Sequence, residues 1–168
     1  MKKIRVKISE EKKESIERQM QKMSKFYSYD SIEMSIEDIV ESYKKGGVYL
    51  PIRQKKLDWS KEQQSEFVES IILNIQIFPF IFVESEKEEE KVIIDGYQRI
   101  NSLCSFLSNK LKLTELKVLT KLNGCFFKDL FLTRQKRIKK KSLKVILFTK
   151  ETDFQTRVDL FNRVNIIS

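Results

Sequence analysis

The chain has 168 residues, of which 40% are hydrophobic and 34% charged, and its formal net charge is +9. This length suffices for one domain with a buried core, and the high charged fraction predicts a soluble protein. No apolar run approaches the roughly 20 residues that cross a bilayer, and no apolar signal core follows the first lysines. We therefore expect a cytoplasmic protein with no membrane contact.

Residue types that are absent or rare exclude several chemistries. The chain has no histidine, which excludes Ser-His-Asp hydrolysis, zinc sites with histidine ligands and histidine-metal nucleases. Its two cysteines, Cys104 and Cys125, lie in apolar patterns that predict free thiols and not a disulfide framework. Any catalysis must therefore use carboxylates, Arg, Lys, Gln, Asn or a bound metal.

Two helices are predicted in residues 1–47, which we interpret as an N-terminal helical segment. The first covers 9–23 and has a narrow apolar face. The second follows Ser35, which together with Asp38 resembles a capping box, and it stops at a pair of glycines. Residues 48–168 are expected to form the core of the same structural domain.

The middle of the chain predicts two short strand regions around a long helix. Residues 48–50 predict a strand, and a capping box at Ser60 opens the helix. The apolar stripe of this helix consists of Phe67, Val68, Ile71, Ile72 and Ile75. Pro79 is expected to end it. Two β-branched or aromatic runs, 80–83 and 92–94, then predict a strand pair joined by an acidic loop.

The last third of the chain predicts further helices and strands. Asn123-Gly124 is a strong signal for a β-hairpin. Because hairpins and helices intermix, we expect an α+β fold with a small mixed β-sheet and packed helices in a single domain. The remaining predicted elements are a basic helix over 129–141, a strand over 143–149 and a last helix capped by Thr152 and Gln155.

A strand, a turn and a helix follow one another in 92–107, and this segment carries the strongest functional signal. Asp95-Gly96 ends the β-branched run, and apolar residues at helical spacing come next. Gln98 and Arg99 then lie in the first turn of the helix, where the unpaired N–H groups and the macrodipole stabilise an anion by roughly 0.3–1 kcal/mol. Arg99 adds a forked positive charge, so the segment predicts a phosphate site. The alternative is that Asp95 caps the helix and Arg99 is a solvated surface charge.

Positive charge is concentrated in residues 134–144. The run Lys139, Lys140 and Lys141 predicts contact with a DNA backbone. We expect such binding to be weak and non-specific, because lysines neutralise phosphates without reading bases. The alternative is an ordinary solvated helix face.

Four segments carry a pattern beyond secondary structure. They are PIRQKKLDW at 51–59, FVESIIL at 67–73 followed by FPFIF, DGYQR at 95–99 and FNRVN at 161–165. In this order they resemble the N-terminal domain of GmrSD-type restriction systems, the DGQQR-motif family, which belongs to the ParB/sulfiredoxin-like fold group.

The resemblance implies a domain that binds, and often hydrolyses, a nucleoside triphosphate in prokaryotic anti-phage or modification-dependent restriction. It implies Asp95 and Arg99 as catalytic residues, with Mg²⁺ held by Asp95. The other residues that it places around one nucleotide pocket are Gln54, Lys55, Gly96, Gln98, Arg163 and Asn165. The alternative for the outlying residues is that Gln54 is a loop amide and that Arg163 and Asn165 merely close the last helix.

Two functions from different classes remain open. One is a Mg²⁺-dependent nucleoside triphosphatase, because phosphoryl transfer needs mainly positioned positive charge and a polarised water. The other is a non-catalytic module that binds a nucleotide or a DNA backbone and acts with a separately encoded nuclease or helical partner protein. The module is favoured by two departures from the family pattern, Lys55 in place of Arg and Tyr97 in place of Gln, by the end of the given sequence just after FNRVN and by the basic window at 134–144. A further departure is Arg53, which occupies the usual aromatic position.

Overall fold

The computed structural model describes residues 8–50, 59–87, 89–150 and 152–167, and in the last helix the side chains of 155–160, 162 and 163. Its helices and strands are interspersed along the chain. Three short 3₁₀ turns lie between them. In chain order the elements are α1 (Glu10–Ser24), β1 (Tyr29–Ser35), α2 (Ile36–Lys45), β2 (Val48–Tyr49), α3 (Lys61–Ile72), β3 (Phe80–Glu84), β4 (Lys91–Asp95), α4 (Tyr97–Leu107), α5 (Leu132–Lys139), β5 (Ser142–Phe148) and α6 (Phe154–Ile167).

The five described strands form one mixed sheet in the order β1-β5-β3-β4-β2. The pairs β1/β5 and β3/β4 are antiparallel, whereas β3/β5 and β2/β4 are parallel. The predicted α+β class with a small mixed sheet is therefore confirmed, as is the predicted pairing of β3 with β4. Within the described ranges, no helix is both long and apolar enough to cross a bilayer.

Helices cover both faces of the sheet. Helices α2, α3 and α4 pack on one face, where Phe82 and Ile93 belong to the larger apolar core. Helix α6 packs on the other face, where Leu160 meets Val83 and Ile94. Because successive strand residues point to opposite faces, neighbours such as Ile93 and Ile94 serve different cores. The start of α4 and the helix α6 thus lie on different sides of the sheet.

Helix ends follow local capping chemistry, and most of them match the sequence. Ser35 caps α2 through the N–H of Asp38, and Gly46 ends that helix in the left-handed conformation. Ser60 and Gln63 form the predicted reciprocal capping box of α3. These three signals act within four residues of chain, which is why they can be predicted from sequence.

Two predicted helix ends are wrong. Helix α3 stops at Ile72 and not at Pro79, because Asn74 adopts a left-handed conformation with a φ of 62°. Helix α6 is capped by Asp153 and not by Thr152, since the Asp153 carboxylate accepts the N–H of Thr156 at 2.7 Å. Thr152 is buried instead. The basic helix is also shorter than the predicted 129–141, covering only the residues of α5.

Strand β1 was not predicted and lies in the stretch interpreted as helical. Its seven residues are mostly exposed, so the sequence lacks the apolar alternation that marks a strand. It is formed by pairing with β5 over its whole length, from Tyr29 opposite Phe148 to Ser35 opposite Ser142. Such an edge strand depends on a partner more than 100 residues away, which local sequence does not reveal.

The predicted β-hairpin around Asn123-Gly124 is wrong. The Asn123 side chain bonds both the N–H and the carbonyl of Leu116, which replaces part of a strand ladder. The buried carboxylate of Glu69, on α3, accepts the N–H groups of Val118 and the following residue at 3.0 and 2.6 Å. Side chains therefore satisfy backbone groups that a hairpin would have paired with each other.

The end of α3 gives a direct test of the core assignment. Ile71 is buried, whereas Ile75, predicted to continue the same stripe, is half-exposed beyond the helix end. We expect Ile71→Ala to lower the free energy of unfolding by about 2–5 kcal/mol, as for other large-to-small core changes. The matched variant Ile75→Ala should change it by less than about 0.5 kcal/mol. Urea denaturation followed by circular dichroism measures both, and equal losses would contradict the helix end.

Candidate functional site

Gly96 joins β4 to α4 by a turn that only glycine accommodates well. Its φ is 106°, in the left-handed region, and a Cβ at this position would overlap the ring of Phe80. Gly96 also occupies the N-cap position of α4, where it offers no side-chain cap. The turn therefore brings β3 close to the start of α4 and leaves the first turn of the helix without a capping side chain.

The side chain of Arg99 is directed into the protein and is only 11% exposed. Its Nη2 lies 2.5 Å from a carboxylate oxygen of Asp95 and donates to the carbonyl of Pro79 at 3.2 Å, and its Nη1 donates to the carbonyl of Phe78. The guanidinium also lies over the ring of Phe80, 4.7 Å from the centroid. Arg99 thus binds the end of β4 and the chain entering β3 at the same time.

These contacts correct the alternative interpretation of the pair. Asp95 does not cap α4, because Gly96 holds the N-cap position and Asp95 pairs with Arg99, and Arg99 is not a solvated surface charge. Burial lowers the pKa of Arg99 below its ordinary value, although the neighbouring Asp95 acts in the opposite direction. The described partners of the guanidinium are protein oxygens, and the phosphate site stays a prediction.

Gln98 faces the chain that leads into α3. Its side-chain oxygen accepts the N–H of Trp59 at 3.1 Å. The Trp59 carbonyl accepts a bond from Gln64 at 2.9 Å, and its ring packs edge-on against Phe67 with 5.8 Å between centroids. Trp59, which directly follows the basic 51–58 segment in sequence, is therefore held at the start of α4.

The residues that precede 51–58 in sequence are also attached to the strand-turn-helix unit, which consists of β4, Gly96 and α4. Strand β2 lies beside β4 and runs parallel to it, with Tyr49 opposite Val92. The chain therefore leaves β2 in the direction in which β4 runs toward Asp95. Both flanks of the 51–58 segment, β2 and Trp59, are attached to the strand-turn-helix unit.

Tyr97 occupies the position at which the resemblance predicts glutamine. Its ring packs edge-on against Tyr43 of α2, with 6.4 Å between centroids. Burial, together with the neighbouring Tyr97, raises the pKa of Tyr43 to about 12. The substitution is thus explained by packing between α2 and α4.

The remaining predicted site residues are not described at the start of α4. Gln54 and Lys55, as well as the side chain of Asn165, lie outside the described residues. Arg163 lies on α6, across the sheet from α4, and its Nε is 2.7 Å from the carboxylate of Asp159. The structure therefore brings Asp95, Gly96, Gln98 and Arg99 together and places Arg163 with a different partner.

The described residues offer Mg²⁺ no set of protein ligands at Asp95. Among them, no group of three Asp, Glu or Cys side chains is placed to hold a metal ion. The Asp95 carboxylate already pairs with Arg99. Mg²⁺ keeps several waters and needs only one or two carboxylates, so Mg²⁺ at Asp95 stays a prediction.

The three lysines predicted to contact DNA differ in exposure. Lys139 forms an ion pair with Glu37 of α2 at 2.9 Å, and Lys141 donates to the carbonyl of Ile71 at 2.9 Å. Burial lowers the pKa of Lys141. Lys140 is exposed. Two of the three lysines are therefore engaged within the protein.

The residues that contact the Arg99 guanidinium from the β3 side were not predicted from the sequence. Phe80 is the first residue of β3, and the carbonyls of Phe78 and Pro79 belong to the chain before it, about 20 residues from Arg99. The signal that could have found Phe80 is the glycine at 96, since a turn residue with no Cβ often marks the close approach of another chain segment. The ring of Phe78 itself is exposed beside this cluster.

Glycine substitutions separate the cost of backbone conformation from the cost of overlap at Gly96. Gly46 has a similar φ of 83°, but a Cβ there would meet nothing within 4 Å. We expect Gly46→Ala to cost about 1 kcal/mol of unfolding free energy from backbone strain. Gly96→Ala should cost about 1–3 kcal/mol more, because its Cβ overlaps Phe80. Urea denaturation of both variants measures the difference, and equal costs would show that Phe80 yields without strain.

Two arginines that pair with a carboxylate four residues earlier test the structural role of Arg99. Arg99 is buried with Asp95, whereas Arg163 is 69% exposed beside Asp159. We expect Arg99→Ala to lower the free energy of unfolding by about 3 kcal/mol, since it leaves Asp95 and two carbonyls without their donor. Arg163→Ala should leave the denaturation midpoint nearly unchanged. A similar, small effect for both would contradict the inward role of Arg99.

The comparisons with known proteins agree with this arrangement of motifs. The family model described as "GmrSD restriction endonuclease, N-terminal domain" matches residues 36–166, which is most of the chain. Comparison with curated proteins and with solved structures finds no match, so the ParB/sulfiredoxin-like assignment stays a prediction. The chain belongs to the family of GmrSD restriction endonuclease N-terminal domains and is a restriction-system component.

Proposed function

We propose that this chain is the nucleotide-binding domain of a prokaryotic restriction system and that it binds a nucleoside triphosphate between the start of α4 and the 51–58 segment. The observation that carries the proposal is the bond from the N–H of Trp59 to Gln98. It attaches Trp59, the residue that directly follows the cationic 51–58 segment in sequence, to the first turn of α4. A cationic segment and a helix N-terminus at one place are what a polyphosphate requires.

The charges of the two parts are complementary to phosphate. The 51–58 segment contains Arg53, Lys55 and Lys56 against a single carboxylate, Asp58. The start of α4 contributes the positive end of the helix dipole, next to Gly96. Lysine and arginine side chains bind phosphate through charge-assisted hydrogen bonds, which are stronger than neutral ones.

Arg99 and Asp95 support this proposal as positioning residues. Their ion pair holds the carbonyls of Phe78 and Pro79 against the start of α4, so the wall of the site is fixed before a ligand arrives. Because Asp95 pairs with Arg99, its described contact is one that supports the site. Binding is therefore better supported than hydrolysis.

The nuclease of such a system requires other residues. The chain has no histidine, so histidine-metal cleavage chemistry must come from another polypeptide or segment. This fits the proposed role of a nucleotide-responsive module that acts with a nuclease or helical partner.

The only tryptophan of the chain, Trp59, provides the test of the proposal. We expect its fluorescence to change saturably on titration with at least one of GTP, ATP, CTP and UTP. Lys55→Ala should weaken that binding about 10-fold or more, since it removes a charge-assisted bond worth about 1.5–3 kcal/mol. Isothermal titration calorimetry of the same pairs detects binding that leaves the fluorescence unchanged.

Controls separate the possible outcomes. Lys22→Ala removes an exposed lysine from α1 and should leave the affinity unchanged. Release of phosphate, with and without Mg²⁺, is measured in the same samples, and release that Arg99→Ala abolishes would make the domain a triphosphatase. No heat and no fluorescence change with any of the four nucleotides would overturn the proposal.

A further inference from the structure

We propose that the solvent face of α5 binds single-stranded DNA, with phosphates along its cations and an unstacked base on Phe131. This surface, called here the basic face, consists of Phe131, Leu132, Arg134, Lys136, Arg137 and Lys140. It is separate from the proposed nucleotide site, and its argument does not depend on that site.

The apolar part of the basic face is unusually exposed. Phe131 is 87% exposed and Leu132 is 73% exposed, and they are adjacent at the start of α5. Single exposed apolar residues are common on protein surfaces. An exposed aromatic ring beside several cations, however, is typical of surfaces on which the bases of a single strand stack. Phe131 is available for such stacking because its ring is nearly fully accessible.

The cations of the basic face take part in none of the described ion pairs. Residues 130–150 contain no aspartate or glutamate. Among the described ion pairs, Lys139 is the residue of α5 that takes part, with Glu37. Lys141 is likewise directed inward to a carbonyl. The inward lysines therefore attach α5 to the fold and leave the charges of the basic face exposed to solvent.

The spacing of the exposed residues fits a chain of phosphates. Leu132, Lys136 and Lys140 follow one another at intervals of four, so they form one row along the helix, and Arg137 lies in the adjoining row. Phe131 precedes the row at its N-terminal end. A strand that follows the row would place its backbone on the lysines and a base at Phe131.

Other polyanions fit this surface less well. An amphipathic helix that lies in a membrane interface needs a broad apolar face, whereas α5 has eight residues and the apolar residues of the basic face are only Phe131 and Leu132. Duplex DNA would meet the cations, but a base would have to leave the stack to reach Phe131, at a cost. A single strand meets the cations with its phosphates and Phe131 with a base, so single-stranded DNA is the occupant that uses every part of the basic face.

Fluorescence anisotropy of the full chain with a labelled 20-nucleotide single strand of mixed sequence tests the proposal. We expect Phe131→Ala to weaken this binding about tenfold, the loss typical of one stacked base, and Phe131→Trp to retain it. The affinity for the corresponding duplex should be lower and should not change with Phe131→Ala. A duplex preference, or an equal loss on both DNA forms, would overturn the stacking role.

Charge variants test the row of lysines. Lys136→Gln with Lys140→Gln should weaken binding and reduce the slope of log affinity against log salt by roughly 1.4, because each phosphate contact on a single strand contributes about 0.7. The control with the same change of charge, Lys12→Gln with Lys22→Gln, lies on α1 and should have no comparable effect. Equal effects of the two pairs would show that net charge, and not the basic face, holds the DNA.

Two further measurements complete the test. The nucleotide titration of Trp59 should be unchanged in the Lys136/Lys140 variant, which separates this surface from the proposed nucleotide site. Vesicles of anionic phospholipid should not bind the chain at the salt concentration at which the single strand does. Binding to vesicles in place of DNA would overturn the proposal.

Discussion

The buried guanidinium of Arg99 is the constraint on which the candidate site depends. A charge removed from water is costly unless it is paired and hydrogen-bonded, and Arg99 finds its partners in Asp95 and in the carbonyls of Phe78 and Pro79. These partners lie at the end of β4 and on the chain entering β3. Satisfying one side chain therefore fixes the relation of two strands to the start of α4, and Gly96 permits the close approach.

The residues of DGYQR thus have two different structural roles. Asp95, Gly96 and Arg99 are directed inward and build the strand-turn-helix unit. Gln98 contacts Trp59, the residue that directly follows 51–58 in sequence. The described contacts of a motif whose residue types resemble a set of ligands are therefore mainly structural. This division explains why Tyr97 can replace glutamine, since position 97 serves packing against Tyr43.

Sequence predicted the features that are decided locally. The caps at Ser35 and Ser60 and the β-branched strand β4 arise from contacts within a few residues, and all were predicted. Strand β1 and the partners of Arg99 could not be predicted, because they depend on residues 20 or more positions away. The hairpin at Asn123 was predicted wrongly for the same reason. The N–H of Val118 donates to the carboxylate of Glu69, which lies on α3 and is distant in sequence.

Helix α3 lies between the proposed nucleotide site and the basic face. At its first turn Gln64 donates to the carbonyl of Trp59, and at its last turn the carbonyl of Ile71 accepts Lys141, which directly follows α5 and Lys140. A change in the position of Trp59 would act on the first turn of a helix whose last turn holds the end of α5. Coupling between two sites requires a contiguous element that both contact. Helix α3 meets that requirement through named hydrogen bonds at both ends, so a nucleotide-dependent change in DNA binding would have a physical route through this fold.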